Sequence, residues 1–477
     1  MIRFLLNDET VETAEMPGLL VLDWLRRRRG LSGTKEGCKE GDCGACTVLL
    51  GEAGAEQVDY LPMTSCLMPL GQLQGRHLVT IEGLDLGGGK LNPVQKAIVD
   101  HGGSQCGFCT PGIVVSLTGL LTREKSGEPE HEVALGLSGH LCRCTGYRSL
   151  KEAGAEAISS VGDRGVGALA EAGVLPSYFA GIPSRLAAIH AESRPEAPAG
   201  DEVVIGGGTD LYVQQGEDLP GRRVFLVPAA LPVVRREGET LHVAAAATFQ
   251  QLAEDPELRR VLPELGEWMD EIASWQIRNR ATLGGNIVNA SPIGDLSILF
   301  LAWRAELVLA LGGEERVLPM SEFYLGYKKK DLRPGEILRE VRVDAPQGLV
   351  AGFEKVAKRR ALDIATVNLA LTFTKDGDGR PRNVGIAAGG VAPIPLALKR
   401  CAALLEGATV DLALANQLVE TAQQEIAPIS DVRGSADYKR LLVRQLLIAQ
   451  LIRHFPGALA VEDFYRRAGQ APHPTFR

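Results

Sequence analysis

Eight of the nine cysteines in this chain of 477 residues fall into two groups of four, and their spacing constrains the fold more than any other feature. The first group reads Cys38-x4-Cys43-x2-Cys46 and is completed by a distant fourth cysteine, Cys66. This spacing is typical of plant-type [2Fe–2S] ferredoxins. The later cysteines form a Cys-x2-Cys pair and a Cys-x-Cys pair. The first thiol group comprises Cys38, Cys43, Cys46 and Cys66, and the second thiol group comprises Cys106, Cys109, Cys142 and Cys144.

Disulfides and structural zinc are the alternatives to iron–sulfur clusters. The N-terminal stretch MIRFLLNDETVE has early acidic residues and no apolar core long enough for a signal peptide. In a reducing compartment, grouped thiols usually bind metal rather than form disulfides. Zinc suits the Cys-x2-Cys pair, but the Cys-Arg-Cys pair is too tight for a usual zinc knuckle. Glycines favour clusters, because they let backbone N–H groups approach sulfur; around the first thiol group they are Gly33, Gly37, Gly41 and Gly44.

Length and composition agree with an intracellular enzyme of several domains. Hydrophobic residues make up 45% and charged residues 23% of the chain, which are ordinary globular values. The net charge of −8 argues against a nucleic-acid partner. No apolar run is long enough to span a membrane, so we expect a cytoplasmic protein. No catalytic residue is predicted, because no Ser/His/Asp set or carboxylate pair has a suggestive spacing.

Local patterns predict two iron–sulfur domains at the start of the chain. Ile2–Leu6 and Glu9–Thr13 flank Asn7-Asp8, which predicts a hairpin. With the cysteine loop and a following strand, this order suits a β-grasp domain. Asn92-Pro93 and Thr110-Pro111 are helix start signals on either side of the second thiol group. That group is therefore expected between helix ends, where N–H groups favour an anionic cluster.

Two glycine-containing segments predict a phosphate site. The strand Val203–Ile205 runs into Gly206–Asp210, the outline of a phosphate cradle. Leu211 occupies the place of the third glycine of G-x-G-x-x-G, so a Rossmann fold is disfavoured. Thr282–Asn286 and Asn289–Asp295 would form a second loop closing around a pyrophosphate. The alternative is a pair of plain turns with Asx caps.

These motifs resemble the molybdenum hydroxylases. Gln105–Gly112 and Cys142–Tyr147 are similar to the iron–sulfur half of that family. Gly206–Leu211 and Ala281–Leu296 are similar to its flavin domain, which is of the vanillyl-alcohol-oxidase (PCMH) type. The order of the halves resembles the small subunits of bacterial xanthine dehydrogenases, over nearly the whole chain.

The resemblance implies an α+β multidomain fold. It would comprise a β-grasp ferredoxin-like domain, a helical [2Fe–2S]-binding domain, the FAD-binding domain and a C-terminal α+β flavoprotein lobe. The expected boundaries are 1–83, 84–160, a linker at 161–174, 175–345 and 346–470.

The resemblance also implies roles for individual residues. The first thiol group would hold the outer [2Fe–2S] cluster, and the second thiol group would hold the cluster nearest the molybdenum. Gln105 matches a glutamine that touches the molybdopterin. The loop Arg359–Ala365 matches one that passes over the flavin, with Leu362 or Ile364 as the ring contact. The other expected FAD contacts are Gly206, Gly207, Gly208, Thr209, Thr282, Gly285, Asn286, Asn289 and Asp295.

One departure from the family pattern concerns the flavin ring. Some relatives place a phenylalanine against the flavin just before the TLGGNI stretch. The predicted helix Asp270–Gln276 offers Ile272 there, with Trp275 close in sequence. The substitution would alter flavin stacking and the choice of oxidant.

The resemblance implies an electron-transfer function. After a predicted long helix at Asp437–His454 the sequence offers no room for a molybdenum domain, so we expect molybdopterin on a large partner subunit in an α2β2 assembly. Xanthine or hypoxanthine would be oxidised to urate there, and the electrons would pass through two [2Fe–2S] clusters and FAD to NAD+. Arg143, between two ligands, would tune a cluster potential or be a plain surface charge.

Other functions stay open at this point. The partner's substrate is an aldehyde or another N-heterocycle in one alternative, and O2 replaces NAD+ in another. The chain would instead be a stand-alone iron–sulfur flavoprotein reductase for NAD(H) if no molybdenum partner exists. Zinc in both thiol groups would indicate a structural or assembly protein.

Overall fold

The computed structural model describes residues 1–54, 57–123, 127–162, 164–189, 197–229 and 232–465. The chain forms two compact units. The first unit contains Met1–Ala229, Thr248–Gln251 and Ile272–Gly285, and the second contains the remaining described residues. Residues 466–470 of the predicted C-terminal lobe lie outside the described residues. Within the described part of the chain, no helix is long and apolar enough to cross a membrane.

The N-terminal domain is a β-grasp, as predicted. Its strands pair in the order β2-β1-β5-β3-β4, with β1 parallel to β5 and antiparallel to β2. The hairpin turns at Asn7, whose φ of 50° lies in the left-handed region that asparagine tolerates. Trp24 of the helix packs edge-on against Phe4 of β1 at 5.4 Å between ring centroids. The elements are β1 (Ile2–Leu6), β2 (Glu9–Thr13), α1 (Val21–Arg27), β3 (Thr47–Ala53), β4 (Val58–Thr64) and β5 (His77–Val79).

A helical domain follows, also as predicted. Asn92 caps the first helix in a capping box with Gln95, and proline occupies its first position. The second helix begins at Thr110, with Cys109 as its N-cap residue. The third contributes Val133 to the buried core that these helices share. The helices are α2 (Pro93–Asp100), α3 (Thr110–Leu121), α4 (Pro129–Leu137) and α5 (Arg148–Ser160).

In the segment predicted as a linker, 161–174, the described residues are packed rather than extended. It contains α6 (Val166–Glu171), whose Val166 and Leu169 are buried in the helical core. Arg164 donates to both carboxylate oxygens of Glu132, at 3.1 and 2.8 Å, in a buried ion pair. Composition alone did not show these anchors. The helix α7 (Ile182–Ala187) then leads towards the flavin region.

The FAD-region strands form separate sheets in the two units. In the first unit β6 and β7 pair in parallel. In the second unit the strands pair in the order β11-β10-β14-β9-β8. The elements are β6 (Val203–Ile205), α8 (Leu211–Gln215), β7 (Val224–Leu226), β8 (Val234–Glu237), β9 (Thr240–Ala244), α9 (Phe249–Glu254), α10 (Pro256–Val261), α11 (Leu265–Glu271), α12 (Trp275–Arg278), α13 (Leu283–Asn289), α14 (Asp295–Ala302), β10 (Glu306–Leu311), β11 (Glu314–Pro319), α15 (Met320–Phe323), β12 (Tyr324–Gly326), β13 (Lys329–Lys330) and β14 (Ile337–Asp344).

The C-terminal lobe is an antiparallel sheet covered by helices. Its strands pair in the order β15-β16-β17-β18. The long helix predicted at Asp437–His454 is present as Ala436–His454 and is capped by the Ser435 hydroxyl. The elements are β15 (Val350–Val356), β16 (Val367–Lys375), β17 (Pro381–Gly389), β18 (Leu396–Ala397), α16 (Lys399–Leu405), α17 (Leu412–Glu425), α18 (Ala436–His454) and α19 (Val461–Tyr465). The α14 helix, apolar on all sides, packs against β16 and β17.

Candidate iron–sulfur and flavin sites

The first thiol group lies in two contacting pairs. Cys38 contacts Cys43, and Cys46 contacts Cys66. The hydrogen bond from the Cys43 thiol lowers the pKa of Cys38 to about 5, and the same bond raises the pKa of Cys43. Cys46 and Cys66 are buried, whereas Cys38 and Cys43 are half-buried. Two thiolates in such contact repel each other, so a positive centre beside each pair would stabilise them.

Backbone N–H groups surround the first thiol group. The amide of Cys38 donates to Cys43 Sγ at 3.4 Å. The amides of Glu40 and Asp42 donate to Cys38 Sγ at 3.4 and 3.3 Å. Gly37 permits this close approach, because a Cβ atom there would lie 2.7 Å from Cys43 Sγ. Hydrogen bonds of this kind stabilise the negative charge of cluster sulfur.

The second thiol group lies at helix ends and is more exposed. Cys106 contacts Cys144, and both are exposed, while Cys109 and Cys142 form a buried pair. Burial raises the pKa of Cys109 to about 12. The Tyr147 hydroxyl accepts from the Cys142 amide at 2.9 Å and donates to a backbone carbonyl at 2.9 Å. This tyrosine therefore holds the Cys-Arg-Cys turn in place.

The paired arrangement fits two-iron clusters. Among the described residues, no three His, Cys, Asp or Glu side chains surround a position for a single metal ion. Each thiol group instead offers two pairs of sulfur atoms. A [2Fe–2S] cluster has four cysteine ligands, two for each iron. The donor set in each group therefore fits the cluster that the spacing predicted.

The two thiol groups are joined through the backbone. The amide of Leu141, next to Cys142, donates to the carbonyl of Cys43 at 3.1 Å. Gly112, in the first turn of α3, approaches Gly44 so closely that a Cβ atom there would overlap with the Gly44 carbonyl oxygen. The loop of the first group thus packs directly against the helices that carry the second.

The glycine loop, Gly206, Gly207 and Gly208, is held by residues that the sequence patterns did not single out. Arg280 donates to the carbonyl oxygen of Gly207. Gln72 of the β-grasp domain donates to the carbonyl oxygen of Gly206 at 3.1 Å. The only sequence signal for Arg280 is a basic residue two positions before the predicted contact Thr282.

Thr282 lies against the glycine loop. A Cβ atom at Gly206 would come within 2.6 Å of Thr282 Oγ1, so only glycine fits beside this hydroxyl. The same Oγ1 atom accepts from the Gly285 amide at 3.1 Å. The second loop predicted here was wrong in form, because residues 283–289 are the helix α13. The threonine hydroxyl caps its first turn. Thr209 is half-buried beside the loop.

The other predicted flavin contacts belong to the second unit. Asn286 Oδ1 accepts from the amide and the hydroxyl of Ser297, at 2.9 and 2.8 Å. Asn289 Oδ1 accepts from Lys328 Nζ at 2.8 Å. Both amide oxygens therefore already accept hydrogen bonds from other residues of the chain.

Asp295 is part of a buried polar cluster in the second unit. Its Oδ2 atom lies 2.8 Å from Lys355 Nζ, and its Oδ1 atom accepts from Asn368 Nδ2 at 2.6 Å. The Lys355 side chain is only 2% exposed, and it also donates to the carbonyl of Glu271 at 2.9 Å. Asp295 therefore balances a buried cation, a role that the sequence patterns did not indicate.

The predicted flavin-covering loop is a closed turn. Asp363 Oδ2 accepts from the amides of Lys358 and Arg359, at 2.8 and 3.0 Å. Leu362 has a φ of 55°, a strained conformation for a branched side chain. Ile364 is 53% exposed. The turn thus presents an apolar side chain outward, as a ring contact requires.

The predicted helix Asp270–Gln276 is interrupted. The helix α11 ends at Glu271, and α12 begins at Trp275, because Ala273 between them has a left-handed φ of 55°. Ile272 is buried. Trp275 is fully buried in the core of the helical domain, so it is a packing residue. Gln105 and Arg143 are both exposed beside the second thiol group.

Family profiles match most of the chain. A profile described as "2Fe-2S iron-sulfur cluster binding domain" matches residues 4–70, and "[2Fe-2S] binding domain" matches residues 80–155. "FAD binding domain in molybdopterin dehydrogenase" matches residues 183–346. "CO dehydrogenase flavoprotein C-terminal domain" matches residues 353–453. The chain therefore has two [2Fe–2S]-binding domains and an FAD-binding domain, which disfavours the zinc alternative and confirms the predicted fold class.

Similar curated proteins are xanthine dehydrogenases. That of Blastobotrys adeninivorans is 29% identical over 91% of this chain and 39% of its own length. Xanthine dehydrogenase 1 of Arabidopsis thaliana is 28% identical over 87% of this chain and 37% of its own length. The chain thus spans less than half the length of these relatives.

Chains in two solved structures are similar to about half of this protein. A chain of carbon monoxide dehydrogenase from Hydrogenophaga pseudoflava is 29% identical to this protein, with a TM-score of 0.48. The match covers 52% of this protein and 87% of the dehydrogenase chain. A chain of quinoline 2-oxidoreductase from Pseudomonas putida 86 is 25% identical to this protein, with a TM-score of 0.48. The match covers 55% of this protein and 92% of the oxidoreductase chain.

Proposed function

The chain belongs to the molybdenum hydroxylase family, and we propose that it is the electron-transfer part of a xanthine dehydrogenase. In this proposal a molybdenum-binding partner subunit oxidises xanthine or hypoxanthine to urate, within an α2β2 assembly. When bound, each [2Fe–2S] cluster carries one electron, and FAD collects two that it can pass to NAD+ as a hydride. The similarity to xanthine dehydrogenases supports this choice of substrate.

The observation that carries the proposal is an unbroken series of contacts within the first unit. The second thiol group connects to the first through the bond from the Leu141 amide to the Cys43 carbonyl. The first thiol group connects to the glycine loop through Arg280, which bonds both Leu67, the neighbour of Cys66, and Gly207. This order gives electrons a short route from the exposed thiol group to the flavin loop.

The exposed side of the second thiol group is the proposed entry point. Cys106 and Cys144 are exposed. Phe108 is 48% exposed and Leu141 is 45% exposed, so apolar side chains flank the cysteine pair. A partner subunit docked there would bury these side chains and place its molybdopterin beside Gln105. Apolar surface of this kind marks protein–protein contacts.

The proposed flavin contacts are of three kinds: backbone N–H groups, neutral polar side chains and an apolar turn. The close approach of Gly207 to the backbone of Arg280 leaves no room for a side chain, so loop N–H groups can reach phosphate oxygens. Thr282, Asn286 and Asn289 are further proposed contacts, each with a neutral polar side chain. The proposed ring contact is Leu362 or Ile364, and the exposed Ile364 side chain supplies an apolar surface of the kind that a flavin ring requires.

The first test is a visible spectrum with iron and flavin measured on the same sample. The proposal expects about four irons and one FAD per chain, with a red-brown colour that bleaches on reduction. Zinc without flavin would overturn it.

A second experiment tests the substrate and the oxidant. The chain is co-expressed with a candidate molybdenum-binding large subunit from the same genome, and the purified complex is mixed anaerobically with xanthine, an aldehyde or another N-heterocycle. Bleaching by xanthine and recovery of the colour with NAD+ support the proposal. Bleaching by an aldehyde alone reassigns the substrate, and recovery only with O2 reassigns the oxidant. A chain that binds no molybdenum subunit but is bleached by NADH is a stand-alone reductase.

A further inference from the structure

Arg280 is a buried cation whose hydrogen bonds all go to neutral oxygens. Its side chain lies in the first unit and the residue is 3% exposed. Nη1 donates to Gln72 Oε1 at 2.7 Å. Nη2 donates to the carbonyl oxygen of Leu67 at 3.0 Å and to that of Gly207. These partners come from the β-grasp domain and from the glycine loop.

Among the described residues, no carboxylate balances this charge. In the part of the chain that the structure describes, Arg280 makes no ion pair with Asp or Glu, and its Nε atom has no hydrogen-bond partner. Burial lowers the pKa of Arg280 to about 9, which still leaves the group protonated at neutral pH. A buried charge without an opposite charge is costly. Such a cation is expected where a bound group supplies the negative charge.

The residues around Arg280 connect it to the first thiol group. Leu67, which accepts from Nη2, directly follows the predicted ligand Cys66. Cys46 and Cys66 share one buried apolar cluster with Ile205 and Tyr212, which flank the glycine loop. Apolar surroundings screen a charge less than water does, so Arg280 acts on the first thiol group more strongly than it would through solvent.

We propose that Arg280 is an electrostatic positioning residue that raises the reduction potential of the cluster in the first thiol group. This inference rests on the proposed electron-transfer function. Reduction adds one electron, and hence one negative charge, to that cluster, while no bond forms or breaks. A buried cation stabilises the more negative, reduced state. Arg280 thereby makes the first cluster a better electron acceptor than it would be without this charge.

Four variants of the full chain, purified with its cofactors, separate charge from structure. Arg280→Gln removes the charge, and Arg280→Lys keeps it. Gln72→Glu keeps Arg280 but places a carboxylate where the Oε1 atom now lies 2.7 Å from Nη1. Gln72→Met removes both hydrogen bonds of the Gln72 side chain without adding charge and is the control for their loss. The readout is a redox titration followed by low-temperature EPR, in which each reduced cluster gives its own signal.

The inference expects a negative shift of the first cluster's midpoint potential in Arg280→Gln and in Gln72→Glu. It expects a potential near the wild-type value in Arg280→Lys and Gln72→Met, and no shift of the second cluster in any variant. An unshifted first cluster in Gln72→Glu would overturn the inference, even where Arg280→Gln does not fold or retain iron. Equal shifts in Gln72→Met and Gln72→Glu would overturn it as well. Failure of the proposed function is a different result, because the wild-type chain would then show no cluster signals.

Discussion

The imidazole ring of His140 lies against the backbone of Gly44, so closely that a Cβ atom at Gly44 would overlap with Nδ1. Gly44 follows the predicted ligand Cys43, and His140 lies two residues before Cys142. The loops of the two thiol groups are therefore packed together with no intervening layer. Close packing of this kind keeps the two redox sites at a constant separation.

Gly44→Ala should disrupt this packing. Gly44 has a φ of 66°, where alanine costs about 1–2 kcal/mol, and overlap with the His140 ring adds to that cost. Gly75→Ala is the matched control, since Gly75 has a φ of 73° but open space around it. We expect a lower melting temperature and a lower iron content in Gly44→Ala than in Gly75→Ala. Equal effects in the two variants would show that backbone strain alone is responsible.

Cys46→Ser should remove one cluster. Cys46 belongs to the buried pair of the first thiol group, so we expect iron to fall from about four to about two per chain while flavin stays bound. Cys401→Ser is the control, because Cys401 is fully buried away from both groups and its thiol donates to the Leu418 carbonyl at 3.5 Å. Burial raises the pKa of Cys401, which keeps it a neutral thiol. Iron loss from the Cys401 variant would contradict the assignment.

Lys355→Met should destabilise the second unit. It leaves the Asp295 carboxylate, which is 13% exposed, without its cation. Breaking a buried ion pair costs about 3–5 kcal/mol, and adding Asp295→Asn should recover part of that loss because the stranded charge is removed. Arg453→Met serves as control, since its ion pairs with Glu264 and Glu354 are partly exposed and contribute about 1 kcal/mol at most.

Denaturant unfolding of these variants gives the comparison. If the double variant is less stable than Lys355→Met, the Lys355–Asp295 pair is not the source of the effect.

His77 should make stability depend on pH. Burial lowers the pKa of His77 from 6.5 to about 4. The folded ring is therefore neutral, with Nδ1 at 2.7 Å from the Tyr60 hydroxyl and Nε2 at 2.9 Å from the Asn7 carbonyl. The unfolded state binds a proton first as the pH falls below 6.5, so the free energy of unfolding decreases until about pH 4, by about 3 kcal/mol in all.

His77→Gln tests this, because glutamine keeps both hydrogen-bond roles and does not titrate. We expect a shallower decrease of the free energy of unfolding between about pH 7 and 5 in the variant. His140, whose pKa burial lowers to about 3, contributes equally to both proteins and cancels in the comparison. Parallel pH profiles would exclude His77 as the source.

Much of the fold followed from short-range patterns. The hairpin at Asn7, the capping box of Asn92 and the strand before Gly206 are all present. Such patterns can be recognised in a sequence because each depends on residues within a few positions of one another. The cysteine spacing predicted the two iron–sulfur domains for the same reason.

Other features failed or were missed because they depend on packing. The predicted linker is anchored by the ion pair between Arg164 and Glu132, which are 32 positions apart. The composition of the segment after Thr282, with its two glycines, predicts a loop. The segment is helical, because the Thr282 hydroxyl caps its first turn. The left-handed residue Ala273 breaks a helix that the pattern continues.

The sequence by itself determined the chemistry of this protein: which domains it contains and which thiols and glycines are candidates to hold cofactors. Only the tertiary structure decided how these sites are joined and charged. Arg280 reaches Gln72 across 208 positions and Leu67 across 213, and Lys355 reaches Asp295 across 60. Contacts at such separations arise when the whole chain packs, because burial brings distant polar groups together and most of them then pair with one another.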